Sequence, residues 1–101
     1  MTQCAKPGGI VISKAGHDKG EALIVLKTDE KGFIYAADGK SRSAARPKRK
    51  NPKHVRVLQY RSDAVEKILL SGNLPDNALI QRELKVYLNE VSLKKQGDVD
   101  Y

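Results

Sequence analysis

The sequence predicts a mainly β fold, in which a small closed or half-closed barrel is followed by a short two-helix C-terminal extension. Three observations predict it. Between residues 9 and 58, short apolar and β-branched runs alternate with glycine-containing turns, and from residue 62 onward the apolar spacing becomes helical. The chain has 101 residues, a length that fits one compact domain with one small core. Closing a barrel removes the exposed edges that such short strands otherwise present.

Five short strands are predicted in the first part of the chain, with turn residues between them. The dipeptide Asp38-Gly39, a strong signal for a tight hairpin, stands between the third strand and the fourth. The predicted strands cover residues 10–12, 22–26, 33–37, 40–43 and 55–58.

The first predicted helix follows the barrel directly. Ser62 and Asp63 are both residue types that cap helix N-termini, and Asp63 with Glu66 has the spacing of a capping box. Apolar residues follow at helical spacing, and Gly72 is a natural stop signal.

A second helix is predicted to begin at residues 75–77. Its apolar side chains are spaced four, three and four residues apart, so that they form a single stripe along one face. The stripe consists of Ile80, Leu84, Tyr87 and Val91. Packing on the domain's own core is the favoured interpretation, and a partner-binding face is the alternative.

These elements divide the chain into four parts. The predicted parts are a flexible N-terminus (1–7), a barrel (8–60) that includes a basic loop (40–56), a helical extension (61–92) and a flexible tail (93–101).

The positive charge of the chain is concentrated in one segment. Nineteen Lys and Arg residues against twelve Asp and Glu residues give a net charge of +7. Residues 1–39 carry five basic and five acidic side chains, and residues 57–101 carry six and seven. Residues 40–56 carry eight basic side chains and no acidic one, so this segment holds the whole excess.

Eight like charges in seventeen residues repel one another unless a polyanion neutralises them. A solvated loop is the ordinary alternative. Nucleic acid is favoured over an anionic membrane, because Pro47 and Pro52 and the lack of an apolar face prevent the segment from forming an amphipathic helix.

Several protein classes are not expected. The longest clear apolar run, residues 22–26, is far shorter than the roughly 20 residues that a membrane span needs, and the N-terminus lacks an apolar stretch typical of a signal peptide. The single cysteine, Cys4, leaves no internal disulfide and suits a reducing cytoplasm. A cytoplasmic, single-domain protein is therefore predicted.

The sequence also lacks the pattern of a catalytic or metal site. Cys4, His17 and His54 do not have the close spacing of metal ligands. Ser13, His17 and Asp18 lie near one another in sequence, which does not make a catalytic triad. We expect no enzymatic activity, no cofactor and no metal.

The stretch GIVISKAGHDKGEALIV, residues 9–25, resembles a KOW motif, the strand–turn–strand element of RNA-binding SH3-like barrels. The matching positions are Gly9 before the first strand, Ile10 and Ile12 within it, Gly16 in the turn, and Lys19-Gly20 before the second strand. Glycine in such a turn supplies a positive φ and allows a phosphate backbone to approach closely.

The resemblance extends over residues 8–88 when the ADGK hairpin, the PKRKNPKH stretch and the helical tail are included. Over this length the chain resembles small bacterial KOW-domain RNA-binding proteins related to large-subunit ribosomal proteins of the fourteen-e, six-e and twenty-seven-e group. The resemblance implies an SH3-like barrel, binding to structured or ribosomal RNA, and no catalysis.

The expected partner is therefore RNA, in particular ribosomal RNA, with ribosomal proteins as further partners and a monomer as the free state. Whether the protein is a ribosomal component or an accessory factor stays open. The alternative is a protein-interaction adaptor that binds through its barrel or its C-terminal helix. Tyr35 and Tyr60 are predicted to pack in the barrel or against the helices rather than to stack on bases. The predicted RNA-binding residues are Lys14, Gly16, Lys19, Gly20, Lys40, Arg42, Arg46, Lys48, Arg49, Lys50, Lys53, His54 and Arg56.

Overall fold

The chain forms a curled antiparallel sheet, a half-barrel, with two helices packed on one of its faces. The computed structural model describes residues 6–16 and 19–97, of which residue 59 and residues 90–97 are described by their backbone alone. The five strands are β1 (Gly9–Ser13), β2 (Ala22–Thr28), β3 (Ile34–Ala37), β4 (Lys48–Lys50) and β5 (Val55–Arg61), and the helices are α1 (Asp63–Leu70) and α2 (Asn77–Gly97). A short 3-10 turn, Pro52–His54, joins β4 to β5.

The strands are hydrogen-bonded in the order β4-β3-β2-β1-β5, and every neighbouring pair is antiparallel. β4 and β5 are therefore the two edges of the sheet. The prediction of a mainly β fold with two C-terminal helices is confirmed, as are four of the five predicted strand positions.

The central strands are buried on both faces, which explains why their sequence is continuously apolar. In β2, Leu23 and Val25 join a cluster on the face away from the helices, together with side chains of β1, β3 and β5. Ile24 and Leu26 point the other way, into a second cluster that includes buried side chains of α1 and α2.

The predicted fourth strand is wrong: residues 40–43 belong to a long connection, and β4 lies further along, at Lys48–Lys50. The reason is the side chain of Asp38. Its Oδ1 accepts hydrogen bonds from the N–H groups of Lys40 (2.8 Å) and Arg42 (2.9 Å), and the Gly39 N–H donates to the Arg42 carbonyl (2.9 Å). The Asp-Gly dipeptide thus closes a compact turn on itself instead of a two-residue hairpin.

The start of α1 is capped by Ser62 alone. Its Oγ accepts the N–H of Val65 at 3.2 Å, and it also donates to a Glu83 carboxylate oxygen of α2 at 2.6 Å. The predicted capping box of Asp63 and Glu66 does not apply, because the N-cap is Ser62 and Asp63 is already the first residue of the helix. The Glu66 carboxylate lies instead 3.4 Å from the Arg61 guanidinium.

Helix α2 begins where the sequence predicts it, with Asp76 Oδ1 accepting the Leu79 N–H at 2.8 Å. The predicted core packing of its apolar stripe is confirmed for Ile80, Leu84 and Tyr87, all of which are buried against the sheet. The side chain of Val91 lies outside the described residues. The helical backbone continues past residue 92, the predicted end of the extension, to Gly97.

The long connection after β3 is fixed to the start of α2. Gln81 Nε2 donates to the Gly39 carbonyl at 2.7 Å, and the Asn77 side chain accepts the Ala44 N–H at 2.9 Å. Gly39 has a φ of +80°, and a Cβ atom at this position would lie only 2.6 Å from the Asn77 carbonyl oxygen. This close approach requires glycine.

We predict that Gly39→Ala destabilises the fold by about 2–4 kcal/mol, because the backbone strain of an L-residue at positive φ adds to a clash with the α2 backbone. Gly32→Ala is the matched control: Gly32 also has a positive φ (+88°), but its Cβ would meet no atom within 4 Å in the part of the chain that the structure describes. The control should cost only the strain, about 1–2 kcal/mol. Urea unfolding of both variants measures the difference, and equal losses would contradict the close approach.

Candidate nucleic-acid interface

The β1–β2 turn has the glycine geometry that its sequence predicts. Gly16 and Gly20 adopt φ values of +88° and +89°. The Gly20 N–H donates to the Ser13 carbonyl at 2.8 Å, which closes the turn. A Cβ at Gly20 would meet no atom of the described residues within 4 Å. Lys14 and Lys19 are exposed on this turn. Among the predicted residues of the turn, His17 and Asp18 lie outside the described part of the chain.

The same turn lies against the 3-10 turn before β5. The Lys14 N–H donates to the His54 carbonyl at 2.8 Å, and Ser13 pairs with Val55 in the sheet. Lys53 and His54 are exposed. Two stretches of predicted RNA-binding residues, 40 positions apart in sequence, therefore meet at one end of the half-barrel.

The run Lys48-Arg49-Lys50 forms strand β4, so its three side chains do not point in one direction. Lys48 and Lys50 pair with Ala36 and Ile34, two buried residues of β3, whereas Arg49 pairs with Tyr35 on the opposite face. Alternation along the strand therefore separates Arg49, which is exposed, from Lys50, which is buried.

Lys50 is 5% exposed, and its ammonium group has a structural position. It donates to Ser13 Oγ at 2.8 Å and to the Ala15 carbonyl at 3.0 Å, and Ser13 Oγ in turn donates to Ala15 at 2.9 Å. This ammonium joins an edge strand to the β1–β2 turn. Of the thirteen predicted RNA-binding residues, all of which lie in the described part of the chain, Lys50 is the only cation that is buried.

On the outer face of β2, β3 and β4, cations and aromatic rings lie together. The Arg49 guanidinium carbon lies 4.0 Å from the centroid of the Phe33 ring, and Lys27 Nζ lies 5.0 Å from the centroid of the Tyr35 ring. The register pairs Tyr35 with both Lys27 and Arg49, so the three side chains form a row across the strands. We call Lys27, Asp29, Phe33, Tyr35 and Arg49 the outer-face cluster.

Sequence reasoning missed Lys27 and Phe33 and misplaced Tyr35. Among the described residues, neither Phe33 nor Tyr35 belongs to either apolar cluster, so the prediction that Tyr35 packs in the barrel is wrong. The prediction for Tyr60 is confirmed, because its ring lies 5.1 Å from that of Tyr87 in α2. The alternation of Phe33 and Tyr35 at i and i+2 was the available signal for a shared face.

Asp29 organises this cluster through both carboxylate oxygens. Oδ1 accepts the N–H groups of Lys31 and Phe33, each at 2.9 Å, and Oδ2 accepts the Tyr35 hydroxyl at 3.2 Å and lies 3.8 Å from the Arg49 guanidinium. Partial desolvation acts to raise the pKa of Asp29. The hydrogen bonds and the Arg49 charge together outweigh it, so the pKa lies below its ordinary value.

The remaining predicted cations project from two other places. Lys40, Arg42 and Arg46 are exposed on the connection that is fixed to α2, and the Arg46 N–H is held by the Ser43 carbonyl at 3.1 Å. Arg56 is exposed on β5 near Tyr87: burial raises the pKa of the Tyr87 hydroxyl, and the Arg56 charge partly opposes that rise. The structure thus distributes the basic segment over several surfaces instead of one loop.

No protein-family model matches the chain, and no curated protein is significantly similar to it in sequence. In the described ranges, 6–16 and 19–97, no helix is long and apolar enough to cross a membrane. The same part of the chain contains no group of three or more His, Cys, Asp or Glu side chains that could hold a metal ion. Cys4 and His17, two of the three possible metal ligands named from the sequence, lie outside the described residues.

We predict that Lys50→Met destabilises the fold by about 1–3 kcal/mol, because the aliphatic stem is retained while buried acceptors lose a charged donor. Lys53→Met is the matched control, since Lys53 is exposed on the neighbouring turn, and it should change stability by less than about 0.5 kcal/mol. Thermal and urea unfolding measure both. A Lys50→Met protein as stable as the control would contradict the structural role of the ammonium.

The lowered pKa of Asp29 predicts a specific loss of stability in acid. A carboxyl group whose pKa is depressed by folding stabilises the native state above its unfolded pKa, and this stabilisation disappears as the pH falls through the folded pKa. Asp29→Asn should therefore be less stable than wild type near pH 7, and the gap should narrow below about pH 4. Urea unfolding at a series of pH values measures the gap, and a gap independent of pH would contradict the charged-state role.

Proposed function

We propose that this protein binds RNA, in particular ribosomal RNA, through an SH3-like barrel of the KOW type. The observation that carries the proposal is the concentration of the entire positive excess in residues 40–56, from which seven of the nine Lys, Arg and His side chains are exposed. A surface of this charge attracts a phosphate backbone over a distance of about a Debye length, and direct contacts then fix the position.

The architecture supports the assignment to the SH3-like class. The segment that resembles a KOW motif, residues 9–25, covers β1, the glycine turn and most of β2. A curled sheet of five short antiparallel strands is compatible with a small barrel of that class.

The glycine turn supports close contact with a phosphate backbone. No atom of the described residues stands within 4 Å of where a Gly20 side chain would begin, which leaves room for a backbone phosphate near the turn. Lys19 precedes this glycine, and Lys14, Lys53 and His54 lie at the same end of the half-barrel, where they supply cationic and hydrogen-bonding groups. We assign this end and the Lys40–Arg46 side of the molecule to phosphate contacts, which position the RNA without reading its sequence.

The described side chains of the apolar stripe of α2, which the adaptor hypothesis offered as a partner-binding face, are not exposed. Ile80, Leu84 and Tyr87, the stripe that was the candidate partner face, are buried against the sheet. Among the described residues of the helical extension, four large apolar side chains stay exposed and could serve such a role: Leu70 (79%), Leu74 (59%), Leu88 (53%) and Val86 (39%). A protein partner therefore enters as an outcome of the test below.

We predict that the variant Lys40→Ser, Arg42→Ser, Arg46→Ser weakens RNA binding about tenfold or more and lowers the magnitude of the salt slope by about 2–3, because three phosphate contacts are lost. The slope is that of log affinity against log salt concentration, measured by fluorescence anisotropy with a labelled RNA hairpin. These side chains are exposed and the turn that carries them is held by its backbone and by Asp38, so the fold is kept.

The matched control is Lys6→Ser, Lys67→Ser, Arg82→Ser, which removes the same charge from exposed positions outside the basic segment. It should leave the slope nearly unchanged. Equal effects of the two triple variants would show general attraction without a defined surface and would overturn the proposal.

Sedimentation of a lysate at low salt tests the ribosomal part of the proposal. Wild type and the control variant should migrate with the large ribosomal subunit, and the Lys40→Ser, Arg42→Ser, Arg46→Ser variant should not. A wild-type protein that binds no RNA but retains a protein partner would support the adaptor.

A further inference from the structure

The structure also points to a subsite for a base, which phosphate contacts alone do not provide. We infer that the Phe33–Arg49 pair on the outer face of the sheet is a stacking site for one unpaired RNA base, an inference that rests on the proposed function. Its ligand is the flat face of a nucleobase in a bulge, a loop or a single strand.

The Arg49 guanidinium and the Phe33 ring lie in direct contact. The guanidinium carbon lies over the ring, 4.0 Å from its centroid, so the ring covers the guanidinium from one side. The Arg49 side chain is nevertheless 50% exposed. A guanidinium that stacks on a ring with one face presents the other to solvent, and Arg planes are surfaces on which proteins stack unpaired bases.

The Phe33–Arg49 pair is held in place before any ligand binds. Asp29 Oδ2 lies 3.8 Å from the Arg49 guanidinium, and Asp29 Oδ1 accepts the N–H of Phe33. The same carboxylate therefore positions both members of the pair. Holding a long Arg side chain in its binding conformation reduces the entropy lost when a ligand binds.

A second cation lies close to the pair. Lys27 Nζ lies over the neighbouring Tyr35 ring, and β-sheet pairing places Lys27, Tyr35 and Arg49 in one row. The outer-face cluster thus holds two cations and one carboxylate, and the carboxylate oxygens accept hydrogen bonds from backbone N–H groups and the Tyr35 hydroxyl. The phosphate of a nucleotide whose base stacks on Arg49 would thus be attracted by Lys27, a cation that does not itself stack on the base.

The distinguishing variant is Arg49→Lys, because it keeps the positive charge but lacks the planar guanidinium. Arg82→Lys is the matched control, an exposed Arg of helix α2 outside the proposed contact surfaces, changed in the same way. Phe33→Leu is a second variant that keeps an apolar support and removes the flat ring. Thermal unfolding checks that all three remain folded.

The probes are three labelled RNA hairpins that share one stem: one with a single bulged adenosine, one with an abasic residue at the bulge, and one fully paired. Wild type should bind the adenosine bulge about fivefold or more tightly than the abasic bulge, since one stacked base contributes an effect of this order. Arg49→Lys and Phe33→Leu should lose this preference and keep the affinity for the paired hairpin. Arg82→Lys should keep the preference.

The outcomes separate the subsite from the general function. A wild-type protein that binds all three hairpins equally would overturn the stacking site while RNA binding stands. A preference that survives both Arg49→Lys and Phe33→Leu would also overturn it, because the base would then be held elsewhere. Failure of every hairpin to bind at low salt would overturn RNA binding itself.

Discussion

The buried ammonium group of Lys50 is the interaction on which the arrangement of the basic segment depends. β4 is a three-residue edge strand, bonded to the sheet through β3 alone, and such a short strand has little pairing of its own. The ammonium group crosses from this strand to Ser13 Oγ and the Ala15 carbonyl and so holds the far end of the curled sheet against its first turn. A buried Lys is tolerated only where its protons have acceptors, and the turn supplies them.

Several other positions follow from this one. With β4 held beside the β1–β2 turn, the short 3-10 turn leads at once into β5, whose first residue pairs with Ser13. The Lys14 N–H then meets the His54 carbonyl, and the exposed cations of both turns lie together. Pleating fixes the rest: since Lys50 points inward, Arg49 must point outward, where the Phe33 ring and Asp29 receive it.

Much of the fold could be predicted from the sequence, because β1, β2, β3, β5 and both helices have strong local signals. The apolar runs of β1 and β2 are buried on both faces, and Ser62 and Asp76 act at the helix starts. β4 could not be predicted, since a strand of Lys, Arg and Lys has no apolar pattern and is defined by its pairing with β3. The Asp38-Gly39 signal misled for a related reason: a dipeptide indicates a turn, but the side chain of Asp38 decides how the chain leaves it.

For the candidate site, the sequence predicts how much positive charge there is but not which side chains share a surface. A count of cations cannot distinguish Lys50, which holds the fold together, from Arg49, which is exposed beside it in sequence. It also cannot find Lys27, which lies more than twenty positions from Arg49 and meets the same row only through two strand pairings. In a basic segment that forms a strand, neighbouring positive charges alternate between buried positions that stabilise the fold and exposed positions on the surface. Replacing the whole run at once therefore removes stability and binding together, and only single positions, chosen by the face on which they lie, separate the two effects.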